Sequence, residues 1–276
     1  MGNAGTRRHG GRAGAALAVC GVLLAGCSGS DGGSGGSGTA NPSASGSVSA
    51  RASDGGTAET TPRFTADPAK LPRTRSAALE LLRAVTAGPD SYGPGYTKRS
   101  PFESDPADWP VLGTDCVWQQ QALPGDVLAS LTRYSRLPAG GGKGEVHTAA
   151  TVTVHRTAAQ ADQEIAETLE EALRCPDQQL RATERISGLN SVGAGYGSNG
   201  NVSADDYLQE VGSYLNPALD KGPLFYLWDQ VRLGPVTIAV AVQGGKGFQQ
   251  ADLLTVQARA VADMETGVRN QLGAPK

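Results

Sequence analysis

From residue 74 onward the apolar positions follow two distinct periods. Over 74–87, Ala77, Leu81, Leu82 and Val85 recur at helical spacing behind Thr74, and Gly88-Pro89 stops the run, which predicts a first helix capped by Thr74. Over 145–155 the period drops to two. Val146, Thr148, Ala150, Val152 and Val154 fall on one side and His147, Thr151, Thr153 and His155 on the other, which predicts a strand with both histidines on an exposed polar face. Thr157 and Gln160 then form a capping-box pattern, and Ile165, Leu169, Ala172 and Leu173 follow at helical spacing until Cys175-Pro176 closes a second helix. The segments 224–233 and 236–243 flank Gly234-Pro235. A two-residue turn there sets Val231 opposite Ile238, Asp229 opposite Val240 and Leu227 opposite Val242, with Trp228 facing Ala241 and Tyr226 facing Gln243 on the reverse side. A last helix over 248–272 carries Leu254, Val261, Met264, Val268 and Leu272.

Weaker signals fill the gaps. Residues 115–121 read as a short strand with Cys116 and Trp118 on one face, and 138–144 as a Gly-rich hairpin loop. A short strand is expected over 184–188, whereas 127–137 and 205–215 fit either period. Residues 88–113, dense in Gly, Pro and Ser, read as one long loop whose Tyr92, Tyr96, Phe102 and Trp109 plug the core edge. Hairpins rather than helical crossovers point to an α+β fold: an antiparallel sheet with helices packed on one face, in a single domain over 63–276.

The amino-terminal part has another character. Arg7, Arg8 and Arg12 precede an uncharged stretch from Ala13 to Ala25, the pattern of a secretory signal over 1–26. Thirteen such residues span about 20 Å as a helix, short of the roughly 30 Å needed to cross a bilayer. Leu24-Ala25-Gly26-Cys27 resembles a bacterial lipobox, which implies cleavage before Cys27 and a diacylglycerol thioether on its sulfur. The two acyl chains meet the requirement for stable anchoring. Residues 28–62 are Ser, Gly, Ala and Thr with isolated polar residues, so a disordered tether spanning about 30–35 Å is expected between anchor and domain. The expected location is the extracytoplasmic face of the cell membrane, with the membrane a partner through the lipid.

Charge narrows the remaining partners. Loss of the three signal arginines leaves 21 basic against 27 acidic residues, a net charge of −6, with no basic run, so neither nucleic acid nor an anionic lipid surface is expected as a partner. Cys116 and Cys175 then form an even pair in an oxidising compartment, and a disulfide is the default reading. No metal or cofactor site is expected: His147 and His155 stand about 26 Å apart along a strand, and no Gly-x-Ser-x-Gly occurs. Residues 195–200 satisfy Gly-x-Gly-x-x-Gly, but neither a buried strand before them nor a helix after them is evident, so they read as a loop. Two features stand out. Asp229 projects onto an apolar strand face, where an acid must be neutral or paired, for instance with Arg232 or with an arginine from a helix. Tyr226 and Trp228 lie beside Ala239 and Ala241, an arrangement that leaves room for a ligand groove and is explained equally well by a helix packed on that face.

The block from Val152 through Gln160 and the second helix to Cys175 resembles the extracellular sensor domain of mycobacterial PknH-type kinases and its lipoprotein relatives. There too a strand leads into an alanine-containing helix that ends at a disulfide cysteine. The resemblance implies a sheet-and-helix domain with a ligand cleft and no catalysis. It departs in having at most one disulfide here, and in Ala172-Leu173-Arg174 where a Trp usually precedes the cysteine. The expectation is a non-catalytic, sensor-like domain binding a small or lipid-like ligand or an envelope protein. The alternatives are an envelope enzyme with an atypical carboxylate or Tyr centre, using Asp229 or the 88–113 segment, and a structural cell-wall protein.

Overall fold

The computed structural model describes residues 64–192 and 204–274, all within one unit spanning 58–276. The expected signal, Cys27, the tether and the glycine motif at 195–200 lie outside the described residues. The chain runs α1 (Arg75–Val85), α2 (Pro89–Tyr92), β1 (Thr97–Glu103), β2 (Asp108–Leu112), β3 (Trp118–Ala122), β4 (Val127–Leu137), β5 (Val146–His155), α3 (Ala158–Arg174), β6 (Gln178–Arg181), β7 (Glu184–Ser191), β8 (Asp206–Leu215), β9 (Leu224–Leu233), β10 (Val236–Gly244) and α4 (Gln250–Leu272). Eight strands form one antiparallel sheet in the order β1-β4-β5-β10-β9-β8-β7-β6, while β2 and β3 pair separately. The fold is α+β, as the alternation of hairpins and helices implies. Among the described residues no helix is long and apolar enough to cross a membrane.

The β9–β10 hairpin takes the expected register in full: Val231 faces Ile238, Asp229 faces Val240, Leu227 faces Val242, Trp228 faces Ala241 and Tyr226 faces Gln243. Gly234 turns the chain with φ +56°, open to glycine at no steric cost, and Pro235 supplies the negative φ that follows. Thr74 and Thr157 cap their helices by accepting from the amides of Ala77 and Gln160. The ambiguous segments 127–137 and 205–215 are both strands, because each pairs along its length with β5 or β9.

One sheet face carries the core. Ala150, Val152, Leu227, Val231, Ile238, Val240 and Val242 pack beneath Leu82 and Val85 of α1 and Val261, Met264 and Val268 of α4, each fully buried large side chain contributing about 1.5–3 kcal/mol. Tyr92 of α2 completes this layer, 1% exposed, so the aromatic-plug reading holds for that residue. The single long loop over 88–113 does not. It contains α2, β1 and β2, which sequence periodicity missed because β1 pairs with only one neighbour and keeps an irregular register.

The helices do not all share that face. Helix α3 lies on the reverse side, and its inward stripe differs from the expected one. Ala161 and Ala172 are buried, while Leu169 is 39% exposed and Leu173 75% exposed. The face that receives α3 is polar, so the helix turns Glu164 and Thr168 toward it instead of its leucines. The two histidines also depart from expectation, being 8% (His147) and 4% (His155) exposed. Each ring is covered and meets a glutamate, His147 at Glu145 (2.7 Å) and His155 at Glu164 (2.6 Å).

Candidate functional site

The reverse face is paved with hydroxyls. On β4 and β5 the cross-strand partners Ser130 and Thr153 share a hydrogen bond at 2.9 Å, and Thr132 and Thr151 share one at 2.8 Å. Trp228 and Gln230 of β9 continue this floor, with Ala239 of β10 between them and β5. Helix α3 forms one wall. Glu164 anchors it by accepting from Gln230 Nε2 at 2.9 Å on one oxygen and from Thr237 Oγ1 at 2.8 Å and His155 Nε2 at 2.6 Å on the other. The opposite wall is β1, and the β2–β3 hairpin forms a roof. The enclosed cleft has a volume of about 510 Å³, within the range of about 300–1,000 Å³ typical of small-molecule sites.

The roof is tied to α3 at one end. Cys116 and Cys175, the C-cap of α3, are joined in a disulfide with Cα atoms 5.5 Å apart. Cys116 stands in a turn with φ +61°, not on a strand face, because β3 begins two residues later. The Trp118 indole donates to Gln178 Oε1 at 2.9 Å, Arg174 donates to the Gly113 carbonyl at 3.1 Å, and the Leu112 amide donates to Glu171. A separation of 59 residues is thereby closed at the rim of the cleft.

All three tryptophans of the chain, Trp109, Trp118 and Trp228, line this cleft. Six acids line it as well, against Arg99 and Arg181. Burial pushes the Glu171 carboxyl from 4.5 up to about 7, opposed by Arg174 and reinforced by Glu167 and Glu170. Glu210 of β8, 3% exposed, is likewise pushed up to about 7 by burial, and the charge of Glu171 adds to the rise against a lowering hydrogen bond from Ser191. Glu171 thus lines the cleft with a carboxyl that holds its proton near neutrality, and its charge helps raise Glu210, which is buried in β8 outside the lining. Among the described residues no group of three or more His, Cys, Asp or Glu side chains is placed to hold a metal ion.

The three residues singled out for binding are not brought together. Trp228 lines the cleft. Tyr226, on the same strand face, is instead packed against Ala172, Ile186 and Tyr214 beneath α3, 7% exposed. Asp229 points to the opposite, core face, 5% exposed. Burial first and the charge of Glu265 second raise its pKa to about 7, against a lowering hydrogen bond from Tyr207. Arg232, the expected partner, instead donates to Asp206 at 2.5 Å. Three positions along a strand place two side chains on opposite faces, so Arg232 cannot reach Asp229 from within β9. The residues that sequence reasoning passed over are Trp109, Trp118, Glu164 and Glu171. A polar stripe through Glu164, Thr168 and Glu171, spaced as one helix face, was the signal present. No family model matches the chain, and neither a curated protein nor a solved structure matches it.

Proposed function

We propose that the chain is a cell-surface lipoprotein, anchored through Cys27 at the extracytoplasmic face of the membrane, whose folded domain is a non-catalytic, sensor-like binding module. The observation that carries the binding role is the convergence of Trp109, Trp118 and Trp228 from three separate strands on one cleft. Tryptophan offers the largest apolar contact area together with an N–H donor, and concave sites lined by aromatics with a few placed polar groups are where ligands are held. The anchor reading rests on the lipobox-like residues 24–27 and the tether composition.

Two measurements test this. Native mass spectrometry of the full chain, purified from its own host in detergent, is expected to show a co-purifying mass that Trp228→Ala releases. Cells fed a labelled fatty acid should incorporate it into the wild type and not into Cys27→Ser. A second reading, an envelope enzyme, is favoured by one observation: the carboxyl of Glu171, which lines the cleft, is raised to about 7. A hydrolase activity abolished by Glu171→Gln, with folding intact, would establish that reading against the first.

A further inference from the structure

We infer that the ligand of the cleft is a neutral, polyhydroxylated molecule, a short oligosaccharide. This deepens the binding role proposed above and rests on it. Three features of the lining select the chemistry. First, among the described residues the lining contains no Leu, Ile, Val, Met or Phe, so an acyl chain finds only Ala239, Pro101 and Pro110 as aliphatic cover. This disfavours the lipid-like ligand that the envelope location brings to mind. Second, the six acids exceed the two arginines, so a phosphate, sulfate or carboxylate ligand meets net repulsion.

Three of the six acids already have donors and do not call for a cation. Glu164 already accepts from Gln230, Thr237 and His155, Glu103 is bound by Arg133 at 2.9 Å, and Asp105 accepts from the Ala107 amide at 2.9 Å. Third, the floor both donates and accepts. In each hydroxyl pair, Ser130 with Thr153 and Thr132 with Thr151, one proton is spent within the pair, leaving the second proton and several lone pairs for other partners. A sugar hydroxyl is itself donor and acceptor and matches such a surface, whereas an ammonium only donates. The C–H face of a pyranose carries weak positive charge and stacks on the negative face of an indole. Trp228 in the floor and Trp118 in the roof offer such faces from two sides of the cleft.

The test is titration of the full chain in detergent micelles, followed by tryptophan emission, because every tryptophan is in the cleft. The probes are cellotriose, chitotriose, maltotriose and an arabinan trisaccharide, with spermidine and octanoate as the cationic and acyl comparators. The expected result is a saturable shift with at least one trisaccharide and none with the comparators. Trp118→Ala should weaken that binding by about tenfold or more, as loss of a central aromatic contact does. Thr132→Val, in the floor and not in the roof, should weaken it as well, at unchanged melting temperature. A response to spermidine or octanoate alone, or to no probe, overturns the inference. A co-purifying mass that is not carbohydrate also overturns it while leaving the binding role standing; an empty cleft with a Glu171-dependent hydrolase activity removes both.

Discussion

The Nε2 of His155 and the Oε2 of Glu164 are 2.6 Å apart at the point where α3 meets the sheet. The same carboxylate binds Thr237 and Gln230, so one side chain fastens the helix to three strands. A carboxylate only accepts, so all three donors lose their partner if it is removed. Glu164→Ala is expected to destabilise the domain by about 3 kcal/mol, the scale for leaving partners of a buried polar network unpaired. Urea unfolding should show a lower midpoint, and tryptophan emission should shift to the red in the native baseline as the cleft wall loosens.

Reduction of the Cys116–Cys175 bond should act at the roof and on the unfolded chain together. Closing 59 residues is worth about 4 kcal/mol in the chain-entropy model. Cys116→Ser with Cys175→Ser should lower the urea midpoint by a corresponding amount. Amide exchange should accelerate first in β2 and β3, which pair with each other and not with the main sheet.

Asp229 sets a pH dependence whose sign is fixed by its raised pKa. Folding lifts this carboxyl from 3.8 to about 7. Between those values the native state keeps the proton and the unfolded chain releases it, so stability is greatest at the acid end and falls as pH rises through about 7. Glu171 and Glu210, both lifted from 4.5 to about 7, act in the same direction. Asp229→Asn cannot ionise and should stabilise the domain by about 2–4 kcal/mol at pH 8 relative to the wild type. Near pH 4 the two should be similar. Thermal melts across pH 4–8 check this; a wild-type curve that rises with pH would contradict it.

Gly267 of α4 is the place where two helices approach closely. A Cβ built there meets Cβ and Cγ1 of Val85 in α1 at 3.2 Å. Gly267→Ala gains up to about 1 kcal/mol of helix propensity against that tight contact and should be near neutral. Gly267→Leu should cost about 2 kcal/mol through overpacking, read from the melting temperature.

What the chain determines by itself is local. The β9–β10 register follows from a two-residue turn and strict alternation, and the caps at Thr74 and Thr157 from hydroxyls placed next to free amides. The pairing of Cys116 with Cys175 follows from an even count. What tertiary structure decided is which surfaces face one another. The 88–113 segment holds strands because β4 and β3 supply partners that no local pattern encodes. His147 and His155 are covered, and α3 presents glutamates rather than leucines, because the receiving sheet face is polar. The cleft itself brings Trp228 to Trp109 and Trp118, over a hundred residues earlier in the chain. Spacing along a chain specifies the face of one element, and only packing between elements specifies what that face meets.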